Sequence, residues 1–464
     1  MLLLLPQNTV AFSIKTTIET STSTSTSTST STSTSTSTTS TTPLLQKYQQ
    51  TAGQIASSFE PREFKPVPWL SNCHIQTIGG VFLRQIPECS NVVNIGATMS
   101  ALVKNLLSST AEQQYWDRRE RIETPDGDWF HVDWKDNTAN TNDEANEANA
   151  KGLMILIHGL ESSSESPLVV DMAKAYQSLN LDVCCINFRG CSGTPNDTLG
   201  AYHLGFTNDL KQLLDSIIVK NNNKNDSKND NNNNNNNQQP LYLSGFSLGG
   251  NMMIKALGEL QETAVDKYNI RGAAVFCAPL NAERHYKRLY APGINRSIYT
   301  GSLLKTMKQK AHRQMEVLCD GNPDTTKFNY KACMAAETIF DFEDAFIAPI
   351  YGFDDPIDYF RQTASINFIE TVAVPTFVLN GEDDPFMDGS YQPTNVCFEN
   401  GGRAPVKMIH SKLGGHCGFI FHQVDTRDDD DDDEQMPLNS FGPAEMKRFI
   451  QHVMDNNDSK SMNK

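Results

Sequence analysis

Six residues carry the clearest chemistry in the chain: Gly245-Phe246-Ser247-Leu248-Gly249-Gly250, a G-x-S-x-G sequence. Leu241-Tyr242-Leu243 before it reads as a short buried strand, and Asn251 to Leu257 after it reads as a helix. Small residues permit a tight strand-to-helix turn with a strained backbone. Such a turn lifts a serine Oγ clear of a sheet and aims a backbone N–H at a reacting carbonyl. The alternative is a glycine-rich turn that happens to hold a serine, since short motifs also arise by chance.

Chain order separates the two. In nucleophile-elbow enzymes the acid follows the serine and the histidine follows the acid. Pro375 to Asn380 is an apolar strand that ends in Gly381-Glu382-Asp383-Asp384-Pro385. A carboxylate at the carboxyl end of a parallel strand sits on the active-site edge. Asp384 stands three residues past the glycine and is the expected acid, with Asp383 as its rival. A solvated Asp-Asp-Pro turn would explain the composition but not the position. Val406 to His410 reads as the last strand, followed by Gly414-Gly415-His416-Cys417-Gly418. Flanking glycines let His416 swing into the site. Its imidazole would take the Ser247 proton while Asp384 fixes the tautomer. His410, at the strand end, is the alternative base and lacks the glycine setting.

An oxyanion hole needs two N–H donors. Leu248 follows the nucleophile directly. Leu160 lies in the His158-Gly159-Leu160-Glu161 loop after the first core strand, Leu153 to Ile157. These two are the expected donors, and losing one such donor costs about 100- to 1000-fold in rate. His158 reads as a turn residue rather than as a base.

Composition narrows the partners. The 464 residues carry a formal net charge of −16, to which Asp428 to Asp433 and Glu434 contribute seven negative charges. No basic stripe or aromatic–basic interleaving appears, so nucleic acid is not an expected partner. The acidic run reads as a solvated loop, because adjacent aspartates set no coordination geometry. Ten cysteines are scattered without a C-x-x-C, several of them inside apolar strands. Free thiols in a reducing compartment, such as the cytoplasm, are the simplest reading. No zinc-like Cys/His spacing occurs, and neither a metal nor another cofactor is expected. No apolar stretch approaches the ~20 residues of a membrane helix. The start, Met1 to Pro6, lacks the charged segment of a secretory signal. The Ser/Thr-rich leader also suits a transit peptide, which leaves the compartment open.

The elements that must position these residues follow from pattern. Residues 1–60 read as a Ser/Thr-rich disordered leader, with Thr20 to Thr42 almost pure Ser/Thr alternation. Residues 61–464 read as one catalytic domain. Arg121 to Thr124 and Trp129 to Trp134 flank Pro125-Asp126-Gly127-Asp128, a hairpin signature. Helical spacing is expected over Pro167 to Leu179, Gly205 to Lys220 and Pro443 to Met454. Strands are expected over Leu181 to Phe188 and Gly272 to Cys277. Polar insertions span residues 136–151, 221–239 and 425–437. Alternating strands and helices argue for an α/β fold with a mostly parallel, doubly wound sheet. Residues 280–370 interrupt the alternation with a helix-rich aromatic segment that includes Phe340, Phe342, Phe346 and Tyr359. It would cover the catalytic edge as a helical cap, and its apolar roof would suit an acyl substrate.

Together these residues resemble the YheT-like, or embryogenesis-associated, branch of the α/β hydrolases. That branch also holds fungal medium-chain acyl-CoA:ethanol acyltransferases and animal α/β-hydrolase-domain phospholipases. Phe64-Lys65-Pro66, Trp69-Leu70, Asn72, His74 and Gln76-Thr77 are similar to its amino-terminal signature, and Thr124 to Asp128 to its hairpin. His158-Gly159-Leu160 with Ser162-Ser163, and Asn187 to Gly193, are similar to its two loops. Tyr202-His203, Asp209-Leu210 and Gly245 to Asn251 continue the match. In the cap, Asn295-Arg296 with Tyr299, Phe340-Asp341, and Gly352-Phe353 with Tyr359 follow the pattern. The likeness covers roughly Pro61 to Met454 and implies the α/β-hydrolase fold with Ser247, Asp384 and His416 as a triad. Ala364 departs from the pattern where relatives often carry serine, with Ser365 beside it. The amino-terminal membrane anchor of the animal relatives has no counterpart here.

The resulting expectation is a serine carboxylester hydrolase acting on medium-chain or lipid acyl esters through an acyl-enzyme. The alternatives are an acyltransferase passing the acyl group to an alcohol, and a non-catalytic scaffold that kept the fold. No H-x-x-x-x-D box occurs, so transfer would have to reuse the hydrolase triad. The expected partner is a small-molecule acyl ester or lipid. Peripheral membrane contact and oligomeric state stay open.

Overall fold

The computed structural model describes residues 42–82, 84, 115–137, 150–227, 238–423 and 440–461, all within one compact unit, Thr41–Lys464. Eight strands form one sheet: β1 Arg118–Glu123, β2 Trp129–Lys135, β3 Leu153–Ile157, β4 Asp182–Asn187, β5 Leu241–Phe246, β6 Ile270–Phe276, β7 Thr376–Gly381 and β8 Val406–Ser411. Their order across the sheet is β1-β2-β4-β3-β5-β6-β7-β8. The β1–β2 and β2–β4 pairs are antiparallel, and every other pair is parallel. This is the expected doubly wound, mostly parallel α/β-hydrolase sheet.

Strand sequences such as Leu153-Met154-Ile155-Leu156-Ile157 are apolar without interruption because helices cover both faces. The period of two then divides the core. Leu153, Ile155 and Ile157 join Leu243, Val275 and helix Leu248–Leu260 in one layer. Met154 and Leu156 join Tyr242, Phe276, Phe377, helix Pro167–Gln177 and the Phe441–Ser461 helix in the other.

The expected hairpin forms, and its turn does more than reverse the chain. Arg189, in the loop after β4, donates to Asp126 at 2.6 Å and to both carboxylate oxygens of Asp209 at 2.7 and 3.0 Å. Asp128 accepts from Thr198 Oγ1 at 2.6 Å. These contacts, whose charged groups are buried except at Asp126, lock the hairpin to the β4 loop and to the helix that starts at Asn208.

Two expectations, a disordered leader over residues 1–60 and a polar insertion over 221–239, are corrected in part. Residues 43–57, inside the span read as a leader, form helix Pro43–Ser57. Thr42 caps it by accepting from Leu45 N–H, and proline occupies its first turn. Leu45, Gln49, Ala52, Ile55 and Ala56 are buried. Gln49 donates to the carbonyls of Glu370 and Val372 at 2.7 and 3.0 Å. Just beyond the helix, Phe59 packs edge-on against Phe377 and Phe449. Second, the asparagine-rich run begins inside a helix, which extends over Asn208–Ser227. The Ser/Thr alternation before Thr42 and the acidic run at 425–437 lie outside the described residues.

Between β6 and β7 the chain runs through several helices, among them Ala282–Leu289, Gly301–Leu318, Ile339–Ala345 and Pro356–Thr363. The Ile339–Ala345 helix has a full capping box, Thr338 with Asp341. No helix among the described residues is long and apolar enough to cross a membrane.

Candidate active site

Ser247 sits between β5 and helix Leu248–Leu260 with φ +52° and ψ −128°. A non-glycine residue in that region is strained and persists only where its surroundings over-determine it. Here Ser247 N–H donates to Phe276 O at 2.9 Å. Two glycines allow the turn to close. A Cβ on Gly249 would lie 2.2 Å from His158 O, and one on Gly159 would lie 3.0 Å from the Ser247 Cβ. The elbow and the loop after β3 therefore press against each other with no room for side chains.

Ser247 Oγ lies 2.9 Å from His416 Nε2, and His416 Nδ1 lies 2.7 Å from Asp384 Oδ2. The three expected residues thus stand in one hydrogen-bonded line. Asp383 does not join it: its Oδ1 accepts from Gly415 N–H at 2.9 Å and so shapes the histidine loop. Burial by itself would lower the His416 pKa. Burial is the largest single influence, but the charges of Asp384 and Cys417 and the hydrogen bond to Asp384 together outweigh it and hold the imidazole well above its ordinary value.

The other histidine candidates are placed elsewhere. His158 is fully buried, with Nδ1 2.8 Å from Gly159 O and Nε2 accepting from Phe188 N–H at 3.2 Å. Burial lowers its pKa to about 3, so it is a neutral structural residue. His410 stays at the end of β8, where burial also lowers its pKa. Leu248 opens the helix after Ser247, and both it and Leu160 line the cavity that Ser247 faces. Beyond Leu160, the Glu161 N–H donates to Tyr202 Oη at 2.6 Å, which pins the loop.

Sequence reasoning missed the residues that hold His416. Its backbone N–H donates to Thr77 Oγ1 at 2.8 Å. Gln76 donates to Leu70 O and Ile420 O, and accepts from Ile420 N–H. The amino-terminal signature is therefore a brace for the histidine loop, carried on helix Cys73–Phe82. Phe386 lies on the His416 ring and also packs against Tyr299, which bonds His74 Nδ1 at 3.0 Å. Signal for these roles existed only in the likeness of Gln76-Thr77 to a family pattern.

The cavity in front of Ser247 measures about 1130 Å³. Its walls include Leu204, Tyr286, Leu289, Phe340, Tyr359 and Phe360, several of them on the helices between β6 and β7. Phe346 is buried away from it, against Phe328 and Phe342. Glu343 lines the cavity, and burial raises its carboxyl pKa to about 8, so this group is mostly neutral at pH 7. Near the rim, Lys310 bonds Glu161 at 2.8 Å and Cys191 Sγ at 3.1 Å.

No protein-family model matches the chain. The sequence is 29% identical over 363 residues to the putative esterase YheT of Escherichia coli, covering 77% of this chain and 87% of that one. It is 24% identical over 321 residues to the phospholipase ABHD3 of mouse, covering 69% and 70%. It is 24% identical over 284 residues to a medium-chain fatty acid ethyl ester synthase/esterase of Saccharomyces cerevisiae, covering 58% of each. Among solved structures, the Pyrococcus furiosus esterase Pf2001 aligns with 73% of this chain and 89% of its own, at a TM-score of 0.40 and 15% identity. By its sheet and elbow the chain has the α/β-hydrolase fold, and in sequence it is similar to the putative esterase YheT and the embryogenesis-associated protein EMB8 of Picea glauca.

Proposed function

We propose that the chain is a serine carboxylester hydrolase acting on medium-chain or lipid acyl esters. The observation that carries the reading is the Ser247–His416–Asp384 line opening onto an apolar-walled cavity. Ser247 Oγ attacks the ester carbonyl as His416 Nε2 takes its proton, and Asp384 stabilises the imidazolium. The carbonyl oxygen becomes an oxyanion facing the N–H groups of Leu248 and Leu160. Collapse breaks the bond to the alcohol, which leaves with the proton from His416. Water then repeats the sequence on the acyl-enzyme and frees the acid. An alcohol in place of water would give acyl transfer through the same intermediate, and the yeast relative, whose name joins ester synthase and esterase, favours testing it.

The test is a panel of p-nitrophenyl esters and glycerolipids, with and without ethanol, on wild type and Ser247→Ala. Hydrolysis and fluorophosphonate labelling should both fall by about 10⁴-fold or more in the variant while the fold is kept. Wild-type-like turnover by Ser247→Ala would refute the assignment. Ethyl ester as the main product would move the chain to the transferases.

A further inference from the structure

Cys277 and Cys417 are distant in sequence and adjacent in space. Cys277 follows β6 and is fully buried, and its Sγ accepts the Cys417 N–H at 3.2 Å. Cys417 follows His416 and lines the substrate cavity with it. Both backbones are left-handed, with φ +51° and +55°. One ligand atom from each of Cys277, Cys417 and His416 falls within 4.8 Å of the other two.

Ligands on one tetrahedral zinc lie ~2.0–2.3 Å from the metal and hence ~3.5–3.8 Å from each other. Closing the three onto an ion therefore needs a shift of about an ångström. Two sulfurs and an imidazole favour a soft or borderline cation over Mg²⁺ or Ca²⁺. The cavity gives the ion a path in and leaves its fourth position to water or to Ser247 Oγ.

Both His416 ring nitrogens are already engaged, Nδ1 with Asp384 and Nε2 with Ser247. Whichever nitrogen binds the cation must release its partner. We propose that Cys277, Cys417 and His416 form an inhibitory site for Zn²⁺ or a cation of like softness, which silences the enzyme by capturing the histidine. Each thiol releases its proton to solvent on binding, and no oxidant is involved. The inhibitory half of this proposal rests on the ester-hydrolase reading; the binding half does not.

Two measurements test it, both on the full chain under reducing conditions. In the first, Zn²⁺ is titrated against p-nitrophenyl ester hydrolysis, with Mg²⁺ and Ca²⁺ as controls. Wild type should be inhibited reversibly by Zn²⁺ alone. Cys277→Ser should keep its metal-free rate and need at least ~100-fold more Zn²⁺ for half inhibition, since even outer-shell changes cost up to that factor. In the second, Co²⁺ is added and its thiolate charge-transfer absorbance recorded; the band should appear in wild type and weaken in Cys277→Ser. Should Cys277→Ser fail to fold, Cys417→Ser supplies the comparison through the cobalt band and through inhibition relative to its own metal-free rate. Equal inhibition of wild type and both variants would mean that His416 binds metal alone, and the proposal falls. Absence of the cobalt band in wild type overturns the site, and a band without inhibition overturns its regulatory role. Because the band needs no turnover, a chain that hydrolyses no ester would still report on the site.

Discussion

Phe386 lies flat on the His416 ring, with centroids 4.1 Å apart and planes 12° from parallel. Its backbone N–H also donates to Asp384 Oδ1 at 2.7 Å, leaving Oδ2 for the imidazole. One residue thus orients both Asp384 and His416. Phe386→Ala should lower kcat by about tenfold, since aromatic pairs are worth ~0.5–1.5 kcal/mol beyond their burial. Steady-state kinetics against one ester would check it; an unchanged kcat would make the stacking incidental.

Asp384→Asn should cost about 10⁴-fold in kcat, because the amide favours the wrong imidazole tautomer. Asp383→Asn keeps an oxygen to accept the Gly415 N–H and should stay within about tenfold of wild type. Side-by-side rate measurements with the two variants decide between the carboxylates, and a reversed order would move the acid to Asp383.

The pH profile has a definite sign. Only neutral His416 can accept the Ser247 proton, so activity falls as pH drops through the His416 pKa. That pKa is raised, burial being outweighed by Asp384 and Cys417. The acid limb of kcat/KM should therefore lie above the ordinary imidazole value of ~6.5. Asp384→Asn should move the residual limb to lower pH. A wild-type limb well below 6.5 would contradict the charge balance described around His416.

Cap aromatics should divide by which way they face. Phe340 lines the cavity, so Phe340→Ala should shift the preferred acyl length upward, each added methylene gaining about 0.8 kcal/mol once it is buried. Phe346 is packed on Phe328 and Phe342, so Phe346→Ala should cost ~3–5 kcal/mol of stability and leave the chain-length profile unchanged. Rate profiles over a series of esters, together with urea melts, separate the two effects.

What could be read beforehand was local. The β5 strand, the Ser247 turn and the helix after it are contiguous, as are β7 with Asp384 and β8 with the His416 loop. Strand period and glycine spacing carry that information in neighbouring letters. The roles of Thr77 and Phe386 escaped notice because they depend on contacts with His416 that no local pattern encodes. Helix Pro43–Ser57 did leave a signal, Thr42-Pro43 followed by apolar residues at helical spacing, but the adjoining Ser/Thr tract obscured it. Phe346 and Phe340 look alike as letters; only the packing of the helices between β6 and β7 tells wall from filler.

The division of the core into two layers bears on how the protein would lose activity. Leu248 and Met252, behind Ser247, belong to one layer, whereas Leu413 and Cys417, flanking His416, rest on the other. The Ser247–His416 hydrogen bond therefore joins two loops whose neighbours pack on opposite faces of the one sheet. A displacement of ~1 Å between these loops would cost about 100-fold in rate. Turnover becomes a strain gauge for the alignment of the two loops, and gentle warming should extinguish it before circular dichroism registers any loss of helix.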